Sequence, residues 1–356
     1  MSYLRKAKIT KMLSRIIDQN DIDHFKKWLD RAERIVITTH TSPDGDAIGS
    51  SLGLWHYLKL QGQDVHVIIP NNFPDFLRWM NGTAEIVRYD KHKEQADQLI
   101  ADADIICCLD YNEISRIDAV GEPVLASKAK KIMIDHHLHP SDFCGIIISH
   151  PEISSASELV FRFICRLGGF NEISFEAAEC IYCGMMTDTG SFTYNSNNPE
   201  IYYIISELMS KGIDKDVIYR RVYNTYSEGR LRLQGYVLYC KMKLFQEYNA
   251  ALITLSREEQ KRFHYNKGDT EGLVNLPLSV KDIVFSAFLR EDTEKKMIKI
   301  SLRSTGSFPC NQIASEYFGG GGHLNASGGE FYGPLEEAEN LFKQALVKYK
   351  ALLNKK

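Results

Sequence analysis

RIVITTHTSPDGDAIGSSLGLWHYLKL, residues 34–60, decides the fold. It begins with a β-branched run, Ile35-Val36-Ile37, breaks at Ser42-Pro43-Asp44-Gly45, and resumes with the helical spacing of AIGSSLGLWHYLKL. A short apolar strand that turns directly into a helix is the opening of a βαβ unit. The turn itself carries His40, Asp44 and Asp46. Charged groups gathered where a strand ends raise the question of what they hold.

Further along the chain the pattern repeats. The β-rich runs DVHVIIP (64–70), DIICCLD (104–110) and KIMIDHH (131–137) alternate with helix-like segments. Such alternation predicts a parallel sheet covered by helices, an α/β class fold. Three of the four runs end in His or Asp. Open parallel sheets bind ligands beyond the carboxyl ends of their strands, so groups far apart in sequence can meet in one crevice. From about residue 200 to 240 the spacing is helical and charged; strand-like runs then return at 250–255, 283–289 and 297–303, followed by a glycine cluster and an amphipathic helix at 335–352. The expected organisation is a first domain over 1–205, a helical linker over 206–240 and a smaller α/β domain over 241–356.

Composition bounds the partners. At 356 residues and 44% hydrophobic, the chain supports two domains with ordinary cores. A net charge of −3, from 43 basic and 46 acidic residues, provides no broad cationic field for holding long duplexes, so a nucleic acid partner is short or gripped locally. The basic N-terminal stretch MSYLRKAKITKML lacks the apolar core and cleavage site of a secretory signal, and no apolar run approaches the ~20 residues of a membrane span. The expectation is a cytoplasmic protein without a membrane partner. Eight cysteines, two of them adjacent at Cys107-Cys108, read as reduced core thiols. Cys180 and Cys183 have CxxC spacing, but tetrahedral zinc needs four ligands and no second pair is present at finger spacing.

The acidic clusters favour metal chemistry. Asp44 and Asp46 flank Gly45, so two carboxylates can face neighbouring cations while the glycine admits close backbone approach. Hard divalent cations take carboxylate oxygens, and imidazole broadens the choice toward Mn²⁺. The bland alternative is an aspartate capping a helix beside a satisfied histidine. Asp110 follows five apolar residues, a costly place for a carboxylate unless it is compensated, although it too could cap the next helix. Asp135-His136-His137 closes a buried run in the same manner, and Asp188 lies in MMTDTGSF.

These motifs carry a resemblance. H-x-x-x-D-x-D-A-I-G-S (40–50), the aspartate ending a third strand, D-H-H (135–137), T-D-T-G-x-F (187–192) and G-G-G-G-H-x-x-A-S-G (319–328) occur in order across nearly the whole chain. Together they resemble the DHH/DHHA1 phosphoesterase superfamily, and within it the compact bacterial oligoribonuclease and 3′-phosphoadenosine-5′-phosphate phosphatase group, the nanoRNases. The resemblance implies a DHH lobe with a parallel sheet flanked by helices, a smaller DHHA1 lobe, and an active site in the cleft between them. It implies two divalent ions, Mn²⁺ first, with Mg²⁺ or Co²⁺ as alternatives. His40, Asp44 and Asp110 would hold one ion; Asp46, Asp110, His136 and Asp188 the other, with Asp110 bridging. His137 would touch a phosphate oxygen or serve the leaving group, and Asp135 would orient a neighbouring histidine. In the second lobe Arg303, Gly320, Gly321, Gly322 and His323 would bind the substrate, joined by Arg116 from the first.

For Arg303 the competing reading is a surface residue paired with Glu or Asp, and for Arg116 a surface ion pair. Ser154, Ser155 and Ser157 either present a helix N-terminus to phosphate or simply cap that helix beside Glu158. Asn325 receives no role. The implied activity is hydrolysis of short single-stranded RNA, linear dinucleotides or bisphosphorylated adenosine by a metal-activated water. Rivals are a pyrophosphatase or exopolyphosphatase on the same centre, a cyclic-dinucleotide phosphodiesterase, and a nucleotide sensor without turnover. The oligomeric state is left open, a homodimer included.

Overall fold

The computed structural model describes residues 16–266 and 268–354; the basic N-terminal stretch considered above lies outside the described residues. The chain divides into two compact units, 1–225 and 226–356. The division falls within the helical stretch that follows residue 200.

The first unit holds six strands: β1 (Arg34–Thr38), β2 (Asp64–Ile69), β3 (Val87–Arg88), β4 (Ile105–Leu109), β5 (Lys130–Asp135) and β6 (Ile146–Ser149). They form one sheet in the order β3-β2-β1-β4-β5-β6, every neighbouring pair parallel. Its helices are α1 (Gln19–Leu29), α2 (Gly45–Leu60), α3 (Lys93–Ala101), α4 (Gly121–Ala126), α5 (Ala156–Leu167), α6 (Phe175–Asp188), α7 (Pro199–Met209) and α8 (Lys215–Tyr223). Strand side chains alternate between two apolar layers. Ile35, Ile37, Cys107 and Leu109 pack toward α2, α5 and α6, whereas Val36, Ile106 and Cys108 pack against Ala96, Ile100 and Val124. Burial on both faces explains why these strands read as continuous apolar runs. It also separates the adjacent cysteines, which enter opposite layers.

The strand order reverses between β1 and β4. In an open parallel sheet this is the point where the loops on either side diverge and leave a crevice at the carboxyl ends. Every described cysteine is a free thiol, and Cys180 and Cys183 lie buried in the core layer under α2 and α6, where burial pushes the Cys180 thiol well up.

The second unit is a mixed sheet in the order β11-β12-β10-β9-β8-β7, from β7 (Lys243–Phe245), β8 (Ala250–Leu255), β9 (Phe285–Glu291), β10 (Ile298–Ser304), β11 (Gly321–Gly322) and β12 (Ala326–Phe331). Only β8 and β9 pair in parallel. Its helices are α9 (Glu228–Tyr236), α10 (Arg257–Arg262), α11 (Cys310–Phe318) and α12 (Leu335–Leu353). Phe342, Ala345 and Leu346 of α12 pack with Phe285 and Ala287 of the sheet. Within the glycine cluster at 319–322, Gly321 and Gly322 form edge strand β11. Glycines carry no side-chain alternation, which removes the sequence signal for a strand. No described helix is long and apolar enough to cross a membrane.

Candidate metal centre

His40 sits two residues beyond β1, Asp110 directly beyond β4, Asp135 ends β5, and His136 and His137 follow it. The crevice at the strand reversal therefore collects groups from three strands. Asp110 takes a left-handed backbone, φ 61°, with its N–H on the Ile134 carbonyl at 3.1 Å. A non-glycine residue in this region costs roughly 1–3 kcal/mol, a sign that its carboxylate is held in place by the surrounding structure.

That carboxylate lies between two imidazoles. Its Oδ2 is 3.3 Å from His40 Nε2 and its Oδ1 is 3.4 Å from His136 Nε2, yet buried Oδ1 accepts no hydrogen bond. Burial alone would raise its proton affinity; the His136 and His40 imidazoles outweigh this and hold the carboxyl well below the usual range. His136 is oriented by an Nδ1 contact to the Ile153 carbonyl at 3.3 Å. Its Nε2 then faces Asp46 Oδ2 at 3.8 Å and Asp188 Oδ2 at 3.6 Å. A proton on Nδ1 leaves Nε2 as an electron-pair donor, the arrangement found where histidine ligates metal.

Asp46 is fixed from a direction the sequence did not suggest. Its Oδ2 accepts the Ala156 N–H at 2.6 Å and its Oδ1 the Ser157 N–H at 2.9 Å, so its charge sits on the N-terminus of α5. Ser155 caps the same helix by accepting from Glu158 N–H. Two amides of this helix end are thus committed to Asp46 instead of being offered to a phosphate. Burial and the neighbouring charges of Asp110 and Asp188 raise the Asp46 carboxyl well above its usual value.

Asp44 caps α2 through Oδ1, which accepts from Asp46 and Ala47 N–H groups at 3.0 and 3.1 Å, and the same oxygen lies 3.8 Å from His40 Nε2. Asp135 binds His137 twice: Oδ1 lies 2.7 Å from Nδ1, and Oδ2 accepts the His137 N–H at 2.9 Å. His137 is lowered by burial, with the Arg116 charge acting in the same sense. Arg116 makes no ion pair among the described residues, and its carbonyl accepts the Thr41 N–H at 2.8 Å.

Asp188 ends α6, and what brings α6 this close to α2 is a glycine stripe. Gly45, Gly49 and Gly53 recur every four residues on one face of α2. A Cβ on Gly49 would lie 2.6 Å from the Cys180 carbonyl oxygen, and one on Gly184 would lie 1.9 Å from Ser157 Oγ. Three helices converge where only glycine fits. The G-x-x-x-G-x-x-x-G spacing at 45–53 is the sequence signal for this close approach.

Beyond Asp188 the chain makes a left-handed turn, with φ of 53°, 59° and 63° at Gly190, Ser191 and Phe192. Thr189 holds it by accepting the Phe192 N–H on Oγ1 at 3.0 Å and the Thr193 and Tyr194 N–H groups on its carbonyl at 3.0 and 3.2 Å.

In the second unit, Arg303 pairs with no carboxylate among the described residues; its Nη1 donates to the Leu302 and Ser327 carbonyls at 3.0 and 3.5 Å. Gly320 N–H donates to Ala314, and His323 closes a turn with Ala326 through N–H to carbonyl bonds of 2.8 and 3.3 Å. Gly321 and Gly322 are exposed edge residues paired with Gly328 and Ser327. Asn325 is structural, its amide donating to Ser304, Gly306 and Phe308.

The donor sets suit divalent cations. The nearest ligand atoms of His40, Asp44 and Asp110 lie within 4.8 Å of one another, as do those of Asp46, His136 and Asp188. The orphaned Asp110 oxygen between the two sets is what an uncompensated ligand position looks like.

Residues 34–185 match the DHH family, N-terminal domain, and residues 247–351 match the DHHA1 domain. A bifunctional oligoribonuclease and PAP phosphatase NrnA of Thermus thermophilus is 31% identical over 299 residues, covering 84% of each chain. The chain belongs to the DHH family. DHH-family enzymes are phosphoesterases that depend on divalent metal. A crystal structure of an exopolyphosphatase-related protein from Bacteroides fragilis superposes with a TM-score of 0.91 at 66% identity, covering 96% of this chain and 99% of that one. RecJ of Thermus thermophilus in complex with Mn²⁺, at 14% identity and a TM-score of 0.54, covers 94% of this chain and 54% of its own and shares the fold.

Proposed function

We propose that this DHH phosphoesterase hydrolyses short RNA oligonucleotides and linear dinucleotides to mononucleotides, and removes the 3′-phosphate of bisphosphorylated adenosine. The observation that carries the reading is the buried Asp110 carboxylate between His40 and His136, with one oxygen accepting no hydrogen bond and a separate acidic set on either side. His40, Asp44 and Asp110 would hold one cation; Asp46, Asp110, His136 and Asp188 would hold a second. Bound there, two divalent ions, Mn²⁺ by the mixed carboxylate and imidazole donors, supply Lewis acidity that activates water and neutralises phosphoryl charge.

The protein's own groups do the rest. Asp135 fixes the proton on His137 Nδ1 and so presents Nε2 for a phosphate oxygen or a departing hydroxyl. Burial and the Arg116 charge weaken that imidazole's hold on a second proton, so a proton carried on Nε2 is readily given up to a departing oxygen while Asp135 keeps the one on Nδ1. Arg116 adds a positive charge beside His137 and His40. Arg303 offers a guanidinium fork for a substrate phosphate, with Gly320, Gly321, Gly322 and His323 on the neighbouring edge. The name of the Thermus thermophilus relative supports the choice of substrate.

A second reading, cleavage of phosphoanhydrides, is favoured by the description of the Bacteroides fragilis relative as exopolyphosphatase-related. One panel separates the two: a dinucleotide, five- and twenty-residue RNAs, a cyclic dinucleotide, bisphosphorylated adenosine, pyrophosphate and polyphosphate, each with and without Mn²⁺. The expected result is Mn²⁺-dependent turnover of the dinucleotide and the five-residue RNA well above polyphosphate. Faster release from polyphosphate would overturn the proposal in favour of the second reading.

A further inference from the structure

The turn that leaves Asp188 is strained and well anchored, and the aromatic ring it carries is not buried. Three successive residues, two of them non-glycine and one a bulky phenylalanine, occupy the left-handed region. Thr189 fixes the turn as described, Ser191 N–H reaches the Met186 carbonyl at 2.8 Å, and the Phe192 ring tucks against Tyr182 with centroids 5.8 Å apart. Such strain persists only where its surroundings over-determine it, and it concentrates at sites that hold a ligand.

What the turn achieves is the placement of Tyr194. The chain doubles back so that the Tyr194 ring lies over Gly190: a Cβ there would meet Cε1 at 2.2 Å and Cζ at 2.7 Å. Glycine at 190 leaves the space that the ring occupies. Gly190 is two residues past Asp188, so their Cα atoms are at most about 7.6 Å apart. A ring seated on Gly190 is therefore within reach of a nucleoside whose phosphate sits at the Asp188 carboxylate. Tyr194 nevertheless remains 49% exposed, so the protein covers only about half of the side chain.

We propose that Tyr194 is a stacking platform for a nucleobase of the substrate, a specificity residue that favours base-bearing phosphoesters over inorganic phosphate chains. The inference rests on the proposed function and deepens it. Every base has a π-face, so a single tyrosine selects for the presence of a base without selecting which one. A tyrosine offers this rigid surface at small entropic cost.

The test compares Tyr194→Ala, Tyr194→Phe and Tyr194→Trp on a linear dinucleotide and on an abasic dinucleotide, with Mn²⁺ present. Losing one base–aromatic stack is expected to raise KM for the dinucleotide roughly 5- to 150-fold in Tyr194→Ala, with a much smaller change in kcat. The loss on the dinucleotide should exceed that on the abasic compound by this factor, and Phe or Trp should restore KM to within about twofold. Equal losses on both substrates would show a merely structural role and overturn the assignment, as would an unchanged KM in Tyr194→Ala. If the unsubstituted protein cleaved no nucleotide at all, the proposed function would fail first, and this assignment with it.

Discussion

Both carboxylate oxygens of Asp46 are bound by the first turn of α5, to Ala156 N–H and Ser157 N–H at 2.6 and 2.9 Å. A metal-facing carboxylate is thereby aimed by a helix more than a hundred residues away. Its charge also lies close to those of Asp110 and Asp188. A divalent cation relieves that repulsion, so the protein should melt higher in Mn²⁺ than in chelator. At a hundredfold excess over Kd the gain is about 2.7 kcal/mol, roughly 5–10 °C for a unit of this size. Scanning calorimetry in the two conditions checks it, and coincident transitions would argue against a cation site.

Asp110→Ala should abolish turnover while leaving the fold intact. The residue sits at a strand end, and the partners of its carboxylate are the imidazoles beside it, while its backbone bond to Ile134 does not depend on the side chain. If Asp110 is shared by two ions, both should be lost or weakened together. Elemental analysis after dialysis against Mn²⁺, beside circular dichroism, gives the result; near-normal activity would contradict the shared role.

Asp135→Asn should lower kcat/KM about 10- to 100-fold with Mn²⁺ content nearly unchanged, since outer partners of a reactive imidazole typically contribute on that scale. The neutral amide can no longer accept from both His137 Nδ1–H and the His137 backbone N–H with full charge. A loss of metal equal to the loss of rate would instead place Asp135 among the ligands.

Gly49→Ala should destabilise the first unit by about 1–3 kcal/mol through overpacking. The added Cβ would meet the Cys180 carbonyl oxygen at 2.6 Å and the Gly184 nitrogen at 2.8 Å, backbone atoms that cannot rotate away. Because α2 and α6 carry Asp46 and Asp188, activity should fall more than stability alone explains. Urea titration monitored with initial rates tests both parts.

In the second unit, Glu259 accepts from Tyr236 Oη and Lys241 Nζ at 2.6 Å each and from Ser256 N–H at 2.8 Å. Burial pushes its carboxyl up, but Lys241, the Ser256 amide and Tyr236 together hold it at about 2, against 4.5 for a free side chain. A depressed folded value contributes stability that is fully present above the unfolded value and is lost as pH falls through the folded one. Stability of the wild-type chain should therefore decline between about pH 4.5 and 2 more steeply than that of Glu259→Gln, as followed by denaturant midpoints across that window.

Much of this molecule was legible before any coordinates. The apolar runs at 34–40, 64–70, 104–110 and 131–137 became strands to within a residue or two at each end, because strands buried on both faces are nearly continuous in apolar residues. Their endings in His and Asp marked the edge where chemistry gathers. The motifs around His40, Asp110, Asp135 and Asp188 also carried the family, since residue type and order survive as sequence.

What only the tertiary structure decided is how those groups are aimed. No local spacing says that Asp46 docks on the amides of Ala156 and Ser157, that a glycine stripe on α2 admits the backbone of α6, or that Tyr194 folds back over Gly190. Each is a contact between segments that are brought together, or turned against their own preference, by packing. Gly321 and Gly322 make the same point in reverse, for with no side chains to alternate they paired as an edge strand through the backbone. Sequence records which groups are present and how they repeat along the chain; direction and distance arise only when separate elements close on one another and exclude water.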